Sequence, residues 1–334
     1  MKYTAPWWLP GGNAQTIWSA MCARSTSSSR AAPAWRRERW KTPDDQDFVD
    51  VDFLQRGTQA DASPAPLLVL FHGLEGSSGS HYAKAFADVA AARGWNFAVP
   101  HFRGCSGEIN LAPRAYHSGD FEEVDWLLER FAALQGGTNT VVRPPLYAVG
   151  VSLGGNALMR WAGELGSNAS RVVDGVSAIC SPLDLAASGA AIDQGFNRQI
   201  YARMFLRSMV PKALTKLAQY PDLFDAERLR GVRDLHGFDD VFTAPLHGFR
   251  DADDYWRKAS AKPLLTQVRV PALVINARND PFVPAASLPK AQDASKHVLL
   301  WQPQEGGHVG FTQGGWPGHV RSVPEQVVGW LAEH

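Results

Sequence analysis

The chain has 334 residues, 45% of them hydrophobic and 20% charged, which suits one large globular domain or two small ones. Its 33 lysines and arginines balance 33 aspartates and glutamates, so no basic excess exists to neutralise a phosphate backbone, and nucleic acid is not expected as a partner. Cys22, Cys105 and Cys180 form neither a secreted disulfide framework nor a CxxC metal pattern, and read as small packing residues of a reducing compartment. No signal-peptide run opens the chain, and no stretch nears the roughly 20 apolar residues that span a bilayer. A soluble cytoplasmic protein with no integral membrane segment is expected.

In chain order, residues 1–45 read as an irregular leading segment. Trp7, Trp8, Trp18, Trp35 and Trp40 stand there among prolines, glycines and a Ser/Thr cluster at 25–29. Such an aromatic segment is expected to be stapled onto a core by buried tryptophans. Phe48 to Leu54 suggests early strands. Pro66–His72 is then a continuous apolar run, the signature of a strand covered on both faces. The signature recurs at 96–99, 146–149, 175–180, 272–275 and 298–301. Helical spacing fills 81–93, 119–134 and 153 to about 164. Strand and helix alternate, so the fold class is α/β, with a doubly wound, mostly parallel sheet. The alternation breaks at 183–262, where Ile200, Met204, Phe205, Met209 and Leu214, and then Leu223, Phe224 and Leu229, keep helical spacing. That stretch is read as a helical cap inserted over the carboxyl edge of the sheet, where open α/β sheets bind ligands. The whole chain, 1–334, is read as a single domain.

The strongest chemical signal is Gly150-Val-Ser152-Leu-Gly154, a G-x-S-x-G between a predicted strand and a predicted helix. Its tight turn leaves no room for side chains at the glycines and lifts the Ser152 hydroxyl above the sheet. The N–H of Leu153 then faces the place where an oxyanion would form. A serine needs a base, and in this fold the order is Ser, then Asp or Glu, then His. Asp280 follows the run at 272–275 and His308 follows the run at 298–301. His308 is thus the candidate general base, and Asp280 the acid that orients it. Asp184, after 175–180, is the rival acid. The second oxyanion donor is expected from His72-Gly-Leu74-Glu-Gly76, with Leu74 supplying the N–H. A single apolar residue on that side suits an unbranched acyl chain.

Other features are weaker. Arg103 reads as a structural ion-pair partner and His72 as an orienting residue. His117 and Asp120 resemble a metal pair, but a third ligand at suitable spacing is missing. Neither G-x-G-x-x-G nor a P-loop lysine occurs, so no nucleotide cofactor is implied. Serine at the elbow argues against haloalkane dehalogenase and epoxide hydrolase chemistry, which uses aspartate there.

Together the elbow Gly150–Gly155, the loop His72–Gly76, the segment Phe102–Gly107, Asn279-Asp-Pro281 and Gly307-His308 resemble the YheT-like branch of the α/β-hydrolases. That branch also holds the yeast ester-forming medium-chain acyltransferases and mammalian ABHD lipases. Asn13–Ile17 and Phe238–His247 lie outside the generic hydrolase core and make the likeness more specific. It spans about residues 5 to 333. The resemblance implies a cofactor-free carboxylesterase for short- to medium-chain acyl esters, with the triad on Ser152, Asp280 and His308. Some members carry a His-x-x-x-x-Asp acyltransferase motif; here the residue five beyond His117 is Glu122. The leading expectation is therefore a serine esterase acting through an acyl-Ser152 intermediate on a small-molecule acyl ester. An alcohol acyltransferase and a silent hydrolase fold used for binding are the alternatives. The region from Met204 to Met209 is expected to line the acyl pocket, and the apolar cap helices leave transient contact with a membrane surface open.

Overall fold

A computed structural model describes residues 1–26, 32–55, 65–136 and 143–334; residues 27–29 of the Ser/Thr cluster lie outside these. Eight strands form one sheet: β1 (Trp35–Lys41), β2 (Phe48–Leu54), β3 (Leu67–Phe71), β4 (Asn96–Pro100), β5 (Leu146–Val151), β6 (Gly175–Ile179), β7 (Ala272–Ile275) and β8 (Val298–Trp301). Their order is β1-β2-β4-β3-β5-β6-β7-β8. β1, β2 and β4 pair antiparallel, and every pairing from β4 to β8 is parallel. The helices used below are α1 (Gly12–Met21), α2 (His81–Ala92), α3 (Phe121–Leu134), α4 (Leu153–Leu165), α5 (Leu185–Ile192), α6 (Arg203–Gln219), α7 (Ala252–Ala259) and α8 (Ser322–Ala332).

All but one of the apolar runs behave as doubly covered strands must, the exception being 298–301. Alternate residues Leu67, Val69 and Phe71 join Val124, Leu128 and Trp161 of α3 and α4 in one core. Leu68 and Leu70 join Phe86, Val89, Val327 and Leu331 of α2 and α8 in the other. β3 therefore buries both faces, as β5, β6 and β7 do, and their sequences lack polar alternation, whereas β8, expected to be covered likewise, lies at the sheet edge with Leu299 exposed. The parallel register also brings the carboxyl ends of β3, β5, β6, β7 and β8 to one edge, with Phe71 opposite Gly150 and Ile275 opposite Trp301.

The leading segment is not irregular. It holds α1 and β1. Tryptophans staple part of it as expected, Trp40 being buried in one core and Trp35 packing against the other, but Trp7 is exposed, and Trp8 packs edge-on against Trp18. The buried residues of α1 are polar, Gln15, Thr16 and Ser19. Polar residues fill the inner face of α1, so an apolar-periodicity reading finds no helix there.

Among the described residues, 183–262 contains helices and no strand. Leu223 and Phe224 precede the helix Ala226–Gly231 rather than joining it, and Asp225 caps that helix through the N–H groups of Glu227 and Arg228. A π-helical turn, Arg198–Ala202, leads into α6. Among the described residues, no helix is long and apolar enough to cross a membrane.

Candidate active site

Ser152 follows β5 directly and caps α4, with φ 53° and ψ −119°. A non-glycine residue in such a conformation costs of order 1–3 kcal/mol, which the surrounding packing must offset. The neighbouring glycines show how tight the turn is. A Cβ on Gly150 would lie 2.4 Å from the Gly154 carbonyl oxygen, and one on Gly154 would lie 2.4 Å from that of Phe71. The Ser152 N–H donates to Ile179 O at 2.8 Å, fixing the elbow to β6.

The three candidate residues meet. Ser152 Oγ lies 3.0 Å from His308 Nε2, and His308 Nδ1 lies 2.9 Å from Asp280 Oδ2 and 3.2 Å from Oδ1. Asp280 is buried, and its Oδ1 accepts the N–H groups of Phe282 (2.8 Å) and Val283 (3.3 Å). The carboxylate is thus fixed against the imidazole edge, and Phe282 packs on the ring at 4.3 Å. Asp184 does not approach this group; it caps α5 through the N–H of Ala187.

The loop expected to hold the second oxyanion donor is pinned on both sides of Leu74. Gly73 N–H donates to Tyr82 Oη (2.9 Å), Glu75 N–H to Tyr116 Oη (3.1 Å), and Gly76 N–H to Gly73 O (2.9 Å). Of these four successive amides, that of Leu74 alone has no partner among the described residues. Leu153, in the first turn of α4, has an N–H that the helix itself cannot satisfy. Both leucines border the same cleft as Ser152. His72 is fully buried behind the loop: its Nδ1–H donates to Gly73 O and its Nε2 accepts from Phe102 N–H. Burial lowers its pKa to about 3, so it stays neutral.

Sequence reasoning missed the brace formed by α1. Thr16 Oγ1 accepts the backbone N–H of His308 at 2.8 Å. Gln15 Oε1 accepts both Asn279 Nδ2 (3.0 Å) and Gly306 N–H (2.9 Å), tying the acid loop to the histidine loop. Asn13 Oδ1 accepts the Tyr201 hydroxyl from the 183–262 region. The signal was present in Asn13-Ala-Gln-Thr-Ile17, whose polar residues have no role in a merely packed tail.

Residues of 183–262 wall the cleft, a cavity of about 160 Å³ that opens to solvent. Leu185, Ile192, Phe205, Met209, Phe238 and Phe242 make it mainly apolar. Met209 is on that wall, whereas Met204 points outward and is exposed. Glu75 crosses to α6, with its Oε2 2.8 Å from Lys212 Nζ and its Oε1 accepting the Tyr116 hydroxyl. Arg103 pairs with Asp47 at 2.6 Å and with Glu123, as a structural ion-pair residue should.

Among the described residues, the group with metal-ligand spacing is Cys180, Asp280 and His308. Burial, reinforced by the nearby Asp280 charge, raises the Cys180 thiol well above its ordinary range. A protonated thiol is a poor ligand, and the other two side chains already bond each other. His117 packs against the His247 ring, and among the described residues His117 and Asp120 do not form a metal-spaced group with a third ligand.

Residues 66–314 match the family model described as the alpha/beta hydrolase fold, and the chain belongs to that family. Within it, the chain falls in the YheT-like branch. It is 39% identical over 284 residues to the YheT protein of Escherichia coli (strain K12), which carries an esterase name, covering 84% of this chain and 79% of that one. Mouse phospholipase ABHD3 is 28% identical over 317 residues, covering 92% and 74%. Solved structures agree on the fold. Mouse alpha/beta hydrolase domain-containing protein 10 superposes with TM-score 0.51 at 13% identity, over 91% of this chain and 99% of that one. An acylaminoacyl peptidase from Pyrococcus horikoshii gives 0.54 at 15% identity, the match spanning 91% of this chain but 42% of the larger peptidase. Family and relatives support a hydrolase or esterase activity.

Proposed function

We propose that the chain is a serine carboxylesterase that hydrolyses short- to medium-chain acyl esters through an acyl-Ser152 intermediate. The observation that carries this reading is the continuous relay from Ser152 Oγ to His308 Nε2 (3.0 Å) and from His308 Nδ1 to Asp280 (2.9 Å), opening on an apolar cleft. Ser152 Oγ attacks the ester carbonyl as His308 takes its proton, and Asp280 stabilises the imidazolium that forms. The oxyanion is received by the Leu74 and Leu153 N–H groups. His308 then protonates the departing alcohol. Water, deprotonated by the same imidazole, attacks the acyl-enzyme, and the proton returns to Ser152 as the acid leaves. The esterase, phospholipase and lipase names among the relatives support an ester substrate. A reducing, cytoplasmic setting is part of the reading, supported by three free cysteines.

The test is a hydrolysis profile of p-nitrophenyl esters from acetate to palmitate, on wild type and Ser152→Ala together. A rate that peaks at one chain length and vanishes in the variant supports the reading and sizes the cleft. Rates that are flat and insensitive to the substitution refute it. The same reactions with added ethanol report transfer: ester in excess of free acid would make the chain an acyltransferase.

A further inference from the structure

The helical segment that walls the cleft has a second, outward face. From Gln194 to Pro221 the sequence carries five basic residues and no acidic one, within a chain of zero net charge. Lys212 is paired with Glu75, and Lys216 is buried with its Nζ donating to Asn110 O and Ala112 O. The arginines differ. A surface groove beside α6 is lined by Arg198, Arg203, Arg207 and Arg233, with Leu206, Val210 and Val232 between them and no aspartate or glutamate. Arg198 pairs with Asp234. Arg203, Arg207 and Arg233 have no acidic partner among the described residues, and Arg233 reaches only the carbonyls of Arg230 and Val232.

Next to this groove runs an apolar row. Phe196, Ile200 and Met204 follow at intervals of four and are 54%, 43% and 53% exposed. Arg203 and Arg207 form the adjacent exposed row of the same segment. The opposite side of α6 sends Phe205 and Met209 into the cleft. Unpaired guanidiniums beside exposed apolar side chains match the physical chemistry of one kind of surface, in which phosphate charge lies over hydrocarbon.

We propose that this outer face docks on an anionic phospholipid bilayer, setting the helical wall of the cleft against the lipid surface. The apolar row enters the headgroup boundary, and the arginines engage lipid phosphates, for which planar guanidinium donors are well matched. Docking does not require Ser152, so it stands or falls separately from the esterase reading.

The test is co-sedimentation with vesicles of phosphatidylcholine alone and of phosphatidylcholine with phosphatidylglycerol. Wild type and Ser152→Ala should both bind the anionic vesicles and be released by salt. Arg203→Gln with Arg207→Gln should weaken that binding about twenty-five-fold, at about fivefold for each arginine. Phe196→Ser with Met204→Ser should weaken it as well. Both double variants should hydrolyse a soluble short-chain ester at the wild-type rate, which establishes that they are folded. The proposal is overturned if wild type ignores anionic vesicles, binds neutral ones equally well, or is unaffected by the arginine substitutions. It is also overturned if inorganic phosphate at matched ionic strength displaces the protein, since the groove would then serve a free anion.

Discussion

Thr16→Val isolates what α1 contributes to the candidate site. Valine is nearly isosteric with threonine and keeps the helix, but it removes the oxygen that accepts the His308 N–H at 2.8 Å. The lost hydroxyl also donates to Gly12 O, a carbonyl that keeps its place in the helix ladder. The penalty therefore falls on the His308 amide, which is left without an acceptor in a part-buried position. Leaving such a donor unmade costs about 1–3 kcal/mol of stability. The consequence for turnover is larger than that loss suggests. His308 sits on a loop with glycines at 306, 307 and 310, and its Nε2 must stay 3.0 Å from Ser152 Oγ. A displacement near 1 Å costs about 10²-fold in rate, so kcat should fall between tenfold and a hundredfold with KM little changed. Urea unfolding and steady-state hydrolysis of p-nitrophenyl butyrate, run on the same preparation, measure both. Thr16→Ser keeps the acceptor and should behave as wild type. If Thr16→Val loses stability but keeps its kcat, α1 is only a fold element and the positioning role is refuted.

Three further outcomes follow from the same geometry. Leu74→Pro removes the unpartnered amide without breaking any hydrogen bond of the described loop, and should lower kcat by about 10²–10³; near-normal turnover in a folded variant would remove Leu74 from the oxyanion hole. Lys212→Met strips Glu75 of its cation and leaves a carboxylate beside the site of the developing oxyanion. Its kcat should drop about tenfold, as for a loss of about 1.4 kcal/mol, and Glu75→Gln in the same chain should restore it; a double variant as slow as the single one would refute this electrostatic account. Acidification should destabilise the fold. His72 binds its proton near 6.5 when unfolded but only near 3 when folded, because burial excludes the charge. Between those values the unfolded chain holds more protons, so stability is complete above about pH 6.5 and falls by about 1.4 kcal/mol per pH unit below it for this one group. Buried His117 and His247, lowered to about 4 and about 3, act in the same direction. Urea midpoints at pH 7 and pH 5 check this, and equal values would contradict it.

The parts of the protein legible in its sequence are those governed by short-range rules. The bounds of β7 are legible because a strand covered on both faces has no polar residue to blur its ends; β8 keeps the same apolar run although it lies half-exposed at the edge of the sheet. The elbow was legible because crowding at Gly150 and Gly154 admits little but glycine. What escaped depends on partners distant in sequence. Gln15 is fully buried, yet its hydrogen bonds run to Asn279 and Gly306, some 260–290 residues away, and apolar periodicity cannot register a helix whose inner face is polar. The direction of Met204 was lost for a related reason. Neighbouring residues of a helix point about 100° apart, so Phe205 lines the cleft while Met204 is exposed, a distinction that apolar spacing alone does not make. The same periodicity lets one helix present an apolar wall inward and an arginine row outward. The inner row lines the cleft beside Ser152, and Arg203 and Arg207 of the outer row have no acidic partner among the described residues.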